Sequence, residues 1–207
     1  KAYTTQLICM YLIGLYMGST KGTIEKDYYG KILDELKALP DKVEKLLEKE
    51  NSIAALAKRY YRREQVFFIG RGLDSGVSYE GSLKLKEISY INSFAIAAGE
   101  LKHGTIALME EETLVFALAT QDFLYEKMVS NVEEIKARGA RVVAIAKEGR
   151  TEIEQVADEV IYIPPCMDEV SPVLAVIPLQ IFAYYVAKER GCNIDKPKNL
   201  AKSVTVE

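Results

Sequence analysis

The chain has 207 residues, and its 27 Lys and Arg against 30 Asp and Glu give a formal net charge of −3. Hydrophobic residues make up 49% and charged residues 28%, which is typical of a folded globular protein and excludes a disordered chain. The length predicts one domain with a helical segment attached. Because nucleic acids and anionic membranes attract basic surfaces, the slight acidic excess argues against both as partners.

Cysteine and histidine usage exclude two further classes of protein. Cys9, Cys166 and Cys192 are odd in number and widely spaced, which excludes a disulfide framework. With a single histidine they also exclude a zinc-finger pattern, so we expect reduced thiols, a cytoplasmic location and no bound metal. The longest apolar run, Leu7–Met17, is too short to span a bilayer. The chain starts at Lys1 inside a helical pattern without an initiator Met, so we expect it to be part of a longer polypeptide.

The first 62 residues are predicted to be helical, and from Gln65 the pattern changes to strands that alternate with helices. Pro40 suits the first turn of a helix, because proline has no N–H to lose there. Helices in this segment are expected over residues 4–17, 27–38, 41–49 and 51–61. Further on, strands are expected over residues 66–69, 113–119, 141–146 and 160–164, and helices over residues 77–92, 122–137, 151–157 and 172–190.

Short continuous apolar strands that alternate with helices imply right-handed crossovers and a parallel sheet covered on both faces. We therefore predict an α/β fold, a doubly wound parallel sheet flanked by helices, over residues 63–207, with residues 1–62 as a preceding helical segment. In such sheets the ligand binds beyond the carboxyl ends of the strands. This rule directs attention to the loop 70–76, to the segment before Thr113 and to both termini.

The loop Gly70–Gly76 lies between a predicted strand and a predicted helix. Backbone N–H groups and the helix dipole at such a place can hold an anion. The loop matches neither the dinucleotide fingerprint nor the P-loop. An anion cradle and a simple tight turn are therefore equally supported.

The helix after this loop carries a stripe of three ionisable residues. Glu80, Lys84 and Glu87 are spaced i, i+4, i+7 and fall within about 60° of one another. One interpretation is a solvated, salt-bridged face. The other is a proton-transferring site, in which two carboxylates and an ammonium group in an apolar arc tune one another's pKa values. The proton-transferring site is favoured because the opposite side of the helix is the better candidate for the solvent-exposed face. That side consists of Ser78, Ser82, Lys86 and Ser89.

Two other places carry reactive groups. His103 is the only histidine and lies between two glycines at the mouth of the predicted sheet, where it can give or take a proton near pH 7; a lone histidine is more often incidental. The tail Asp195–Glu207 is by default a frayed terminus. Its apolar residues Leu200 and Val204 make docking the alternative, and a docked, partly desolvated Lys202 can act as an amine nucleophile toward a carbonyl.

Together these stretches resemble the isomerase half of the glutamine:fructose-6-phosphate amidotransferase (glucosamine-6-phosphate synthase) family. The resemblance rests on Glu80–Tyr90, Ala98–Gly104 and Asn199–Glu207, whose order, separations and Val-Glu terminus match the family. The opening Lys1–Gln6 is similar to the start of the helix that closes the family's first sugar-isomerase (SIS) lobe. The resemblance implies that the chain is the second SIS lobe, with a flavodoxin-like sheet, and lacks the glutaminase domain and nearly all of the first lobe.

The resemblance also implies a substrate and a reaction. The family makes glucosamine 6-phosphate from fructose 6-phosphate and glutamine-derived ammonia, without metal or organic cofactor, as the first step toward UDP-N-acetylglucosamine. Lys202 is then expected to form an imine with the C2 ketone of the open-chain sugar. Glu87 is expected to move a proton between C1 and C2, and Ala201 to offer its backbone to the substrate.

A homodimer is implied as well. In the family, the residue that corresponds to His103 assists ring opening in the site of the neighbouring subunit. Lys84 and Glu80 are expected to assist proton movement between oxygens and to hold Glu87 in place. The family's phosphate-binding Ser/Thr cluster ends just before Lys1, so most of the phosphate cradle is expected upstream of this chain.

The sequence departs mildly from the family, and two alternatives stay open. Lys198 stands where Arg is common, and Thr105 stands where Pro is common. The first alternative is a non-catalytic sugar-phosphate-binding module, against which Glu87, His103 and Lys202 argue together, since a sensor needs neither a base nor an imine-forming lysine. The second is a related phosphosugar isomerase or deglycase, and the C-terminal tail favours the synthase over it.

Overall fold

Three helices precede a five-stranded sheet in the computed structural model, which describes residues 2–198. The helices are α1 (Ala2–Lys21), α2 (Lys26–Leu47), α3 (Glu50–Tyr60), α4 (Leu73–Ser89), α5 (Tyr125–Lys136) and α6 (Ser171–Glu189). The strands are β1 (Gln65–Gly70), β2 (Asn92–Ala97), β3 (Leu114–Ala119), β4 (Arg141–Lys147) and β5 (Glu159–Ile163). Short 3₁₀ turns occupy residues 98–103, 105–108, 122–124 and 152–155.

All neighbouring strands are parallel, and their order across the sheet is β2-β1-β3-β4-β5. The direction in which the chain adds strands reverses between β1 and β3, which is the topological switch point of the flavodoxin-like order. The central strands β3 and β4 are continuous buried apolar runs, as a parallel sheet covered on both faces requires. The predicted doubly wound α/β fold is confirmed.

Two hydrophobic cores form, one on each face of the sheet, because successive side chains along a strand point to opposite faces. On one face α3, α4 and α6 cover Phe68 and Phe116, whose rings stack at 5.2 Å, and α2 joins the same cluster. On the other face α5 covers Phe67 and Ala117. The helical segment before the sheet thus shares a core with the sheet.

Helix α2 corrects the prediction of two helices that meet at Pro40. Lys26–Leu47 is one helix, and Pro40 lies in its interior. Burial along the apolar stripe of α2 outweighs the single hydrogen bond that a proline removes. This stripe continues on both sides of Pro40 at helical spacing and consists of Ile32, Leu36, Leu39, Val43 and Leu46.

Strand β2 is an element that the sequence analysis missed. The prediction extended the helix to residue 92, whereas α4 ends at Ser89 and Tyr90 turns the chain with a φ of 61°. Glycine or asparagine is the usual residue in this left-handed conformation, so a tyrosine gives no signal that the helix ends. β2 is an edge strand with Asn92 and Phe94 exposed, so it lacks the apolar run of a central strand.

Helix α6 is the one helix among residues 2–198 that is long and apolar enough to cross a membrane. In the structure 67% of its most apolar window is buried inside the protein. Phe182 of α6 packs edge-on against Phe116 of β3, with 4.6 Å between ring centroids. This burial is what the core helix of a folded domain shows.

Candidate functional site

The three ionisable residues on α4 come together as their spacing predicts. Lys84 lies between the two carboxylates, with its Nζ 2.6 Å from Oε2 of Glu87 and 3.7 Å from Oε1 of Glu80. Lys84 donates a hydrogen bond to Glu87. The exposed fractions of the side chains are 14% for Glu80, 23% for Glu87 and 32% for Lys84. One ammonium group therefore joins two carboxylates on a face that solvent still reaches.

Glu80 is the most covered member of the stripe. Burial raises the pKa of its carboxyl group, and the nearby ammonium group of Lys84 opposes this rise. Burial also raises the pKa of the Tyr3 phenol, and the negative charge of Glu80 adds to that rise. Tyr3 belongs to the first turn of α1, so the start of the chain lies beside the Glu80 end of the stripe.

The side of α4 opposite the stripe is buried, which corrects the expectation that it is the solvent-exposed face of the helix. The exposed fractions of Ser78, Ser82 and Ser89 are 0%, 3% and 0%, and only Lys86 on that side is exposed. Ser78 and Ser89 donate to main-chain carbonyls one turn earlier, and the Ser82 hydroxyl lies 3.0 Å from that of Ser93 on β2. Small side chains with satisfied hydroxyls let α4 pack closely against the sheet and α6.

A groove of about 450 Å³ adjoins Glu87 on the exposed side of α4. Leu83 and Tyr90 line it and are 42% and 38% exposed. Lys86 and Lys198 complete the lining. The groove therefore combines one carboxylate with apolar surface and two lysines, a composition that suits an anionic polar ligand.

The segment after α6 returns to the end of α4. The Sγ atom of Cys192 lies 3.9 Å from the main-chain carbonyl of Ser89. The main-chain N–H of Lys198 donates to the phenol oxygen of Tyr90 at 2.9 Å, and Nζ of Lys198 lies 4.7 Å from the centroid of the Tyr90 ring. The C-terminal segment is thus attached to the last turn of α4 at two places.

Two predicted site residues, Ala201 and Lys202, lie outside the described residues. The chain can be followed to Lys198, which lines the same groove as Glu87. Lys202 comes four residues later in the sequence. The structure therefore brings the chain to the stripe just before the predicted nucleophile.

His103 and Glu87 lie at opposite ends of strand β2. It ends the 3₁₀ turn that follows β2, whereas Glu87 lies in the last turn of α4, just before β2 begins. The six residues of β2 span about 17 Å, so one chain does not bring these side chains together. The His103 side chain is 76% exposed, and its Nε2 is 4.0 Å from the Glu100 carboxylate.

The loop between β1 and α4 is a tight turn, held by hydrogen bonds to residues of this chain. A Cβ atom at Gly70 would lie 2.5 Å from main-chain atoms of Asp74, so the turn requires glycine. The Asp74 side chain is fully buried and accepts hydrogen bonds from the main-chain N–H and the hydroxyl of Thr120, at 2.7 and 2.5 Å. Gly70 and the buried Asp74 carboxylate account for a tight turn at this loop.

A polar network at this edge of the sheet was missed by the sequence analysis. Thr120, which follows β3, lies 2.9 Å from the hydroxyl of Ser171. Lys147, at the end of β4, is 6% exposed and pairs with the carboxylates of Asp122 and Asp168. The available signal was the set of polar residues that directly follow apolar strands. Side chains of the described residues thus fill the crevice at the switch point, where α/β sheets usually bind ligands.

No group of three or more His, Cys, Asp or Glu side chains is placed to hold a metal ion within residues 2–198. The three cysteines are unpaired, with Cys9 exposed and Cys166 and Cys192 partly covered. Burial raises the pKa of the Cys166 thiol to about 11, so this thiol stays protonated at neutral pH.

A comparison with protein families identifies the fold family. The family model of the SIS domain matches residues 59–190, from the last turn of α3 to the end of α6. This chain belongs to the SIS domain family. The SIS match includes the whole sheet, the α4 stripe and His103, and it leaves α1 and α2 outside.

This SIS chain is also similar over its whole length to curated enzymes. It is 60% identical over 207 residues to the isomerizing glutamine–fructose-6-phosphate aminotransferase of Caldanaerobacter subterraneus and 52% identical to that of Clostridium tetani. It covers 34% of each relative, so it spans about a third of their length. These similarities confirm the resemblance to that enzyme family.

A solved structure supports the same relationship. The SIS chain is similar to the C-terminal domain of glucosamine-fructose-6-phosphate aminotransferase from Francisella tularensis, with a TM-score of 0.89 and 32% sequence identity. The alignment covers 94% of this chain and 55% of that chain. The helices before the sheet are therefore part of the shared structure, together with the SIS fold itself.

Proposed function

We propose that this SIS chain is the second sugar-isomerase lobe of an isomerizing glutamine–fructose-6-phosphate aminotransferase and carries the residues that isomerise the sugar phosphate. Its substrates are then fructose 6-phosphate and glucose 6-phosphate, and with glutamine-derived ammonia the product is glucosamine 6-phosphate. Two relatives that carry this name are 60% and 52% identical over the whole chain. They span three times its length, so the proposal concerns one part of a larger enzyme.

The observation that carries this proposal is the stripe beside the groove to which the C-terminal segment returns. Glu87 is paired with Lys84 at 2.6 Å and lines the groove that Lys198 also lines. Four residues of extended chain reach about 14 Å, so Lys202 has the length to reach a ligand held over Glu87. A carboxylate base and an amine nucleophile at one groove are the groups that a ketose–aldose isomerisation through an imine needs.

Lys202 and Glu87 divide the chemistry in this proposal. The Lys202 amine adds to the C2 ketone of open-chain fructose 6-phosphate, and water leaves to form an imine. Ammonia then replaces the lysine at C2, and Glu87 takes a proton from C1 and returns it to C2. Ala201 offers main-chain groups to the substrate, and the reaction uses no metal or organic cofactor.

Lys84 and Glu80 support Glu87. Lys84 donates to the Glu87 carboxylate and thereby fixes its position on α4. Glu80 faces Lys84 from one turn earlier, 3.7 Å away, and completes the ion pair on its other side. Both groups exchange protons with the sugar oxygens in the proposed reaction.

His103 acts in the site of the neighbouring subunit of a homodimer, where it assists ring opening. Its 76% exposed side chain and its distance from the stripe of its own chain support this role. A site that draws residues from two subunits also explains why His103 and Glu87 of one chain lie at opposite ends of β2.

The proposed division of the chain has a helical segment over residues 1–62, which closes the upstream lobe and links it to the second SIS domain over residues 63–207. The enzyme acts in the cytoplasm and has neither nucleic acid nor membrane as a partner. The net charge of −3 and the unpaired cysteines support this location.

The test uses a protein extended upstream of Lys1 to the length of its relatives. Treatment with fructose 6-phosphate and borohydride should trap an adduct in the wild type and in Glu87→Gln but not in Lys202→Arg. Glu87→Gln should also slow conversion of fructose 6-phosphate to glucose 6-phosphate by at least 100-fold, on the order of what a general base contributes. The measurements are intact mass and a coupled assay for glucose 6-phosphate.

Lys196→Arg is the matched control, because Lys196 lies in the same segment and its side chain has no assigned role. It should trap the adduct at the wild-type yield. An adduct that survives in Lys202→Arg would refute the assignment of the imine. Calorimetric binding of fructose 6-phosphate without adduct or isomerisation in the wild type would instead support a non-catalytic binding module.

A further inference from the structure

Tyr90 has an unusual backbone conformation for its residue type. Among residues 2–198 it is the one non-glycine residue with a positive φ, at 61°. L-residues with side chains avoid this region because Cβ crowds the backbone, and such conformations persist where surrounding contacts require them. The conformation ends α4 and places the Tyr90 ring at the groove that Glu87 lines.

Two chemically different contacts join Tyr90 to Lys198. The phenol oxygen accepts the main-chain N–H of Lys198 at 2.9 Å. The ring face lies 4.7 Å from the Lys198 ammonium nitrogen, within the range of a cation–π interaction. The hydrogen bond fixes the backbone of Lys198 and the cation–π contact fixes its side chain, so Tyr90 holds both parts of Lys198.

We propose that Tyr90 is a positioning residue that tethers the C-terminal segment at Lys198 and so delivers Lys202 to the substrate. This inference rests on the proposed function. The tether fixes the chain four residues before Lys202. Without it, the nearest remaining attachment among the described residues is Cys192 at Ser89, ten residues before Lys202.

The number of residues from the last attachment to Lys202 sets the size of the expected effect. The effective concentration of a group on a linker falls roughly as the −3/2 power of linker length, so a change of this number from four to ten in the Tyr90 variants lowers it about fourfold. The attachment at Lys198 also orients the segment that carries Lys202, so losing it lowers the rate of imine formation by more than this fourfold factor. The rate at which Lys202 forms the imine is therefore the quantity that Tyr90 controls.

The variants separate the two contacts of Tyr90. Tyr90→Phe keeps the ring and removes the oxygen that accepts the Lys198 N–H. Tyr90→Gly removes both contacts, and glycine adopts a positive φ without strain, so the helix end is preserved. Tyr79→Phe is the matched control, because Tyr79 lies on the same helix, is 59% exposed and makes no side-chain hydrogen bond with the described residues.

The experiment measures the rate of borohydride-trapped adduct formation at saturating fructose 6-phosphate, in the upstream-extended protein. We expect Tyr90→Phe to trap more slowly than the wild type, Tyr90→Gly to trap at least fourfold more slowly, on the order of the tether estimate, and Tyr79→Phe to match the wild type. Hydrogen exchange at the Lys198 amide should accelerate in both Tyr90 variants, which reports the tether without any catalysis.

The two hypotheses fail in different ways. A Tyr90→Gly variant that traps at the wild-type rate would overturn the positioning role, while the imine assignment would stand if Lys202→Arg traps nothing. Trapping in Lys202→Arg would overturn the proposed function and the positioning role with it. An unchanged exchange rate at the Lys198 amide in Tyr90→Phe would also overturn the tether.

Discussion

Three oxygen–oxygen contacts connect Asp74 to the main chain after β5. The Asp74 carboxylate lies 2.5 Å from the Thr120 hydroxyl. The Thr120 hydroxyl lies 2.9 Å from the Ser171 hydroxyl, and the Ser171 hydroxyl lies 2.9 Å from the main-chain carbonyl of Asp168. The Thr120 hydroxyl has one proton for two contacts, with Asp74 and with Ser171, so protonated Asp74 can donate to Thr120 while Thr120 donates to Ser171. Burial acts in the same direction and raises the pKa of Asp74 to about 6, against the opposing hydrogen bonds from Thr120.

Ionisation of Asp74 therefore costs stability. The folded-state pKa, about 6, lies above the ordinary value of 3.8, so the folded protein binds this proton more tightly than the unfolded chain does. The resulting stabilisation is fully present below the unfolded pKa and is lost as the pH rises through the folded pKa. Asparagine mimics the protonated acid at every pH.

We expect the stability of the wild type relative to Asp74→Asn to increase by about 1 kcal/mol when the pH falls from 7.5 to 5. Urea unfolding at both pH values measures this difference. Asp195→Asn, at an exposed position, is the control and should follow the wild-type profile. If wild type and Asp74→Asn changed in parallel, Asp74 would not be the protonated group.

At the scale of elements, α4 contains two glycines in opposite environments. A Cβ atom at Gly81 would lie 2.5 Å from Cδ1 of Leu179 on α6 and 3.1 Å from Cδ1 of Phe68 on β1. A Cβ atom at Gly76 would meet nothing within 4 Å. The close approach of α4 to the sheet and to α6 therefore depends on Gly81, together with the buried serines on the same helix.

The two glycines give a matched pair of substitutions. Gly81→Ala should destabilise the protein by about 1–3 kcal/mol, because the added methyl group overpacks a buried contact. Gly76→Ala should stabilise it by about 0.5–1 kcal/mol, because alanine favours the helix and no neighbour is displaced. Midpoints of urea unfolding measure both changes, and shifts in the same direction would contradict this account of helix packing.

At the scale of the whole molecule, α1 and the segment that follows α6 both lie beside the stripe on α4. Tyr3 on α1 is beside Glu80, and Lys198 lines the groove of Glu87. His103 lies beyond the other end of β2. In the proposed function, His103 of a second subunit completes the site.

Mixing two inactive variants tests this arrangement in the upstream-extended protein. Glu87→Gln and His103→Asn should each lose isomerase activity, because each removes one group from every site. After unfolding and refolding of an equal mixture, half of the dimers are mixed and one of their two sites is intact, so about a quarter of wild-type activity should return. Activity that stays at the level of the separate variants would show that His103 acts in its own subunit or has no role.

Much of the fold and part of the site could be predicted from the sequence. The apolar runs of β1, β3 and β4 predict buried parallel strands, because no other element accommodates such short continuous runs between helices. The spacing of Glu80, Lys84 and Glu87 predicts the ion-paired stripe, since the geometry of a helix alone brings these positions together. Local pattern decides features of this kind, and the structure confirms them.

Other features could not be predicted, because they depend on what packs against each element. Pro40 stays inside α2 because the stripe on either side of it is buried, and the serine arc of α4 is buried because the sheet and α6 cover it. Tyr90, which ends α4, accepts a hydrogen bond from Lys198, far along the chain, and local pattern gives no sign of this contact.

By itself the sequence determined the fold class, four of the five strands, the spacing of the stripe and the family resemblance. Only the tertiary structure decided which face of α4 is buried, that the switch-point crevice is closed by Asp74 and Thr120, and that His103 lies far from Glu87. The reason is physical: residue spacing sets which side chains share a face, whereas burial and proximity depend on partners from distant parts of the chain.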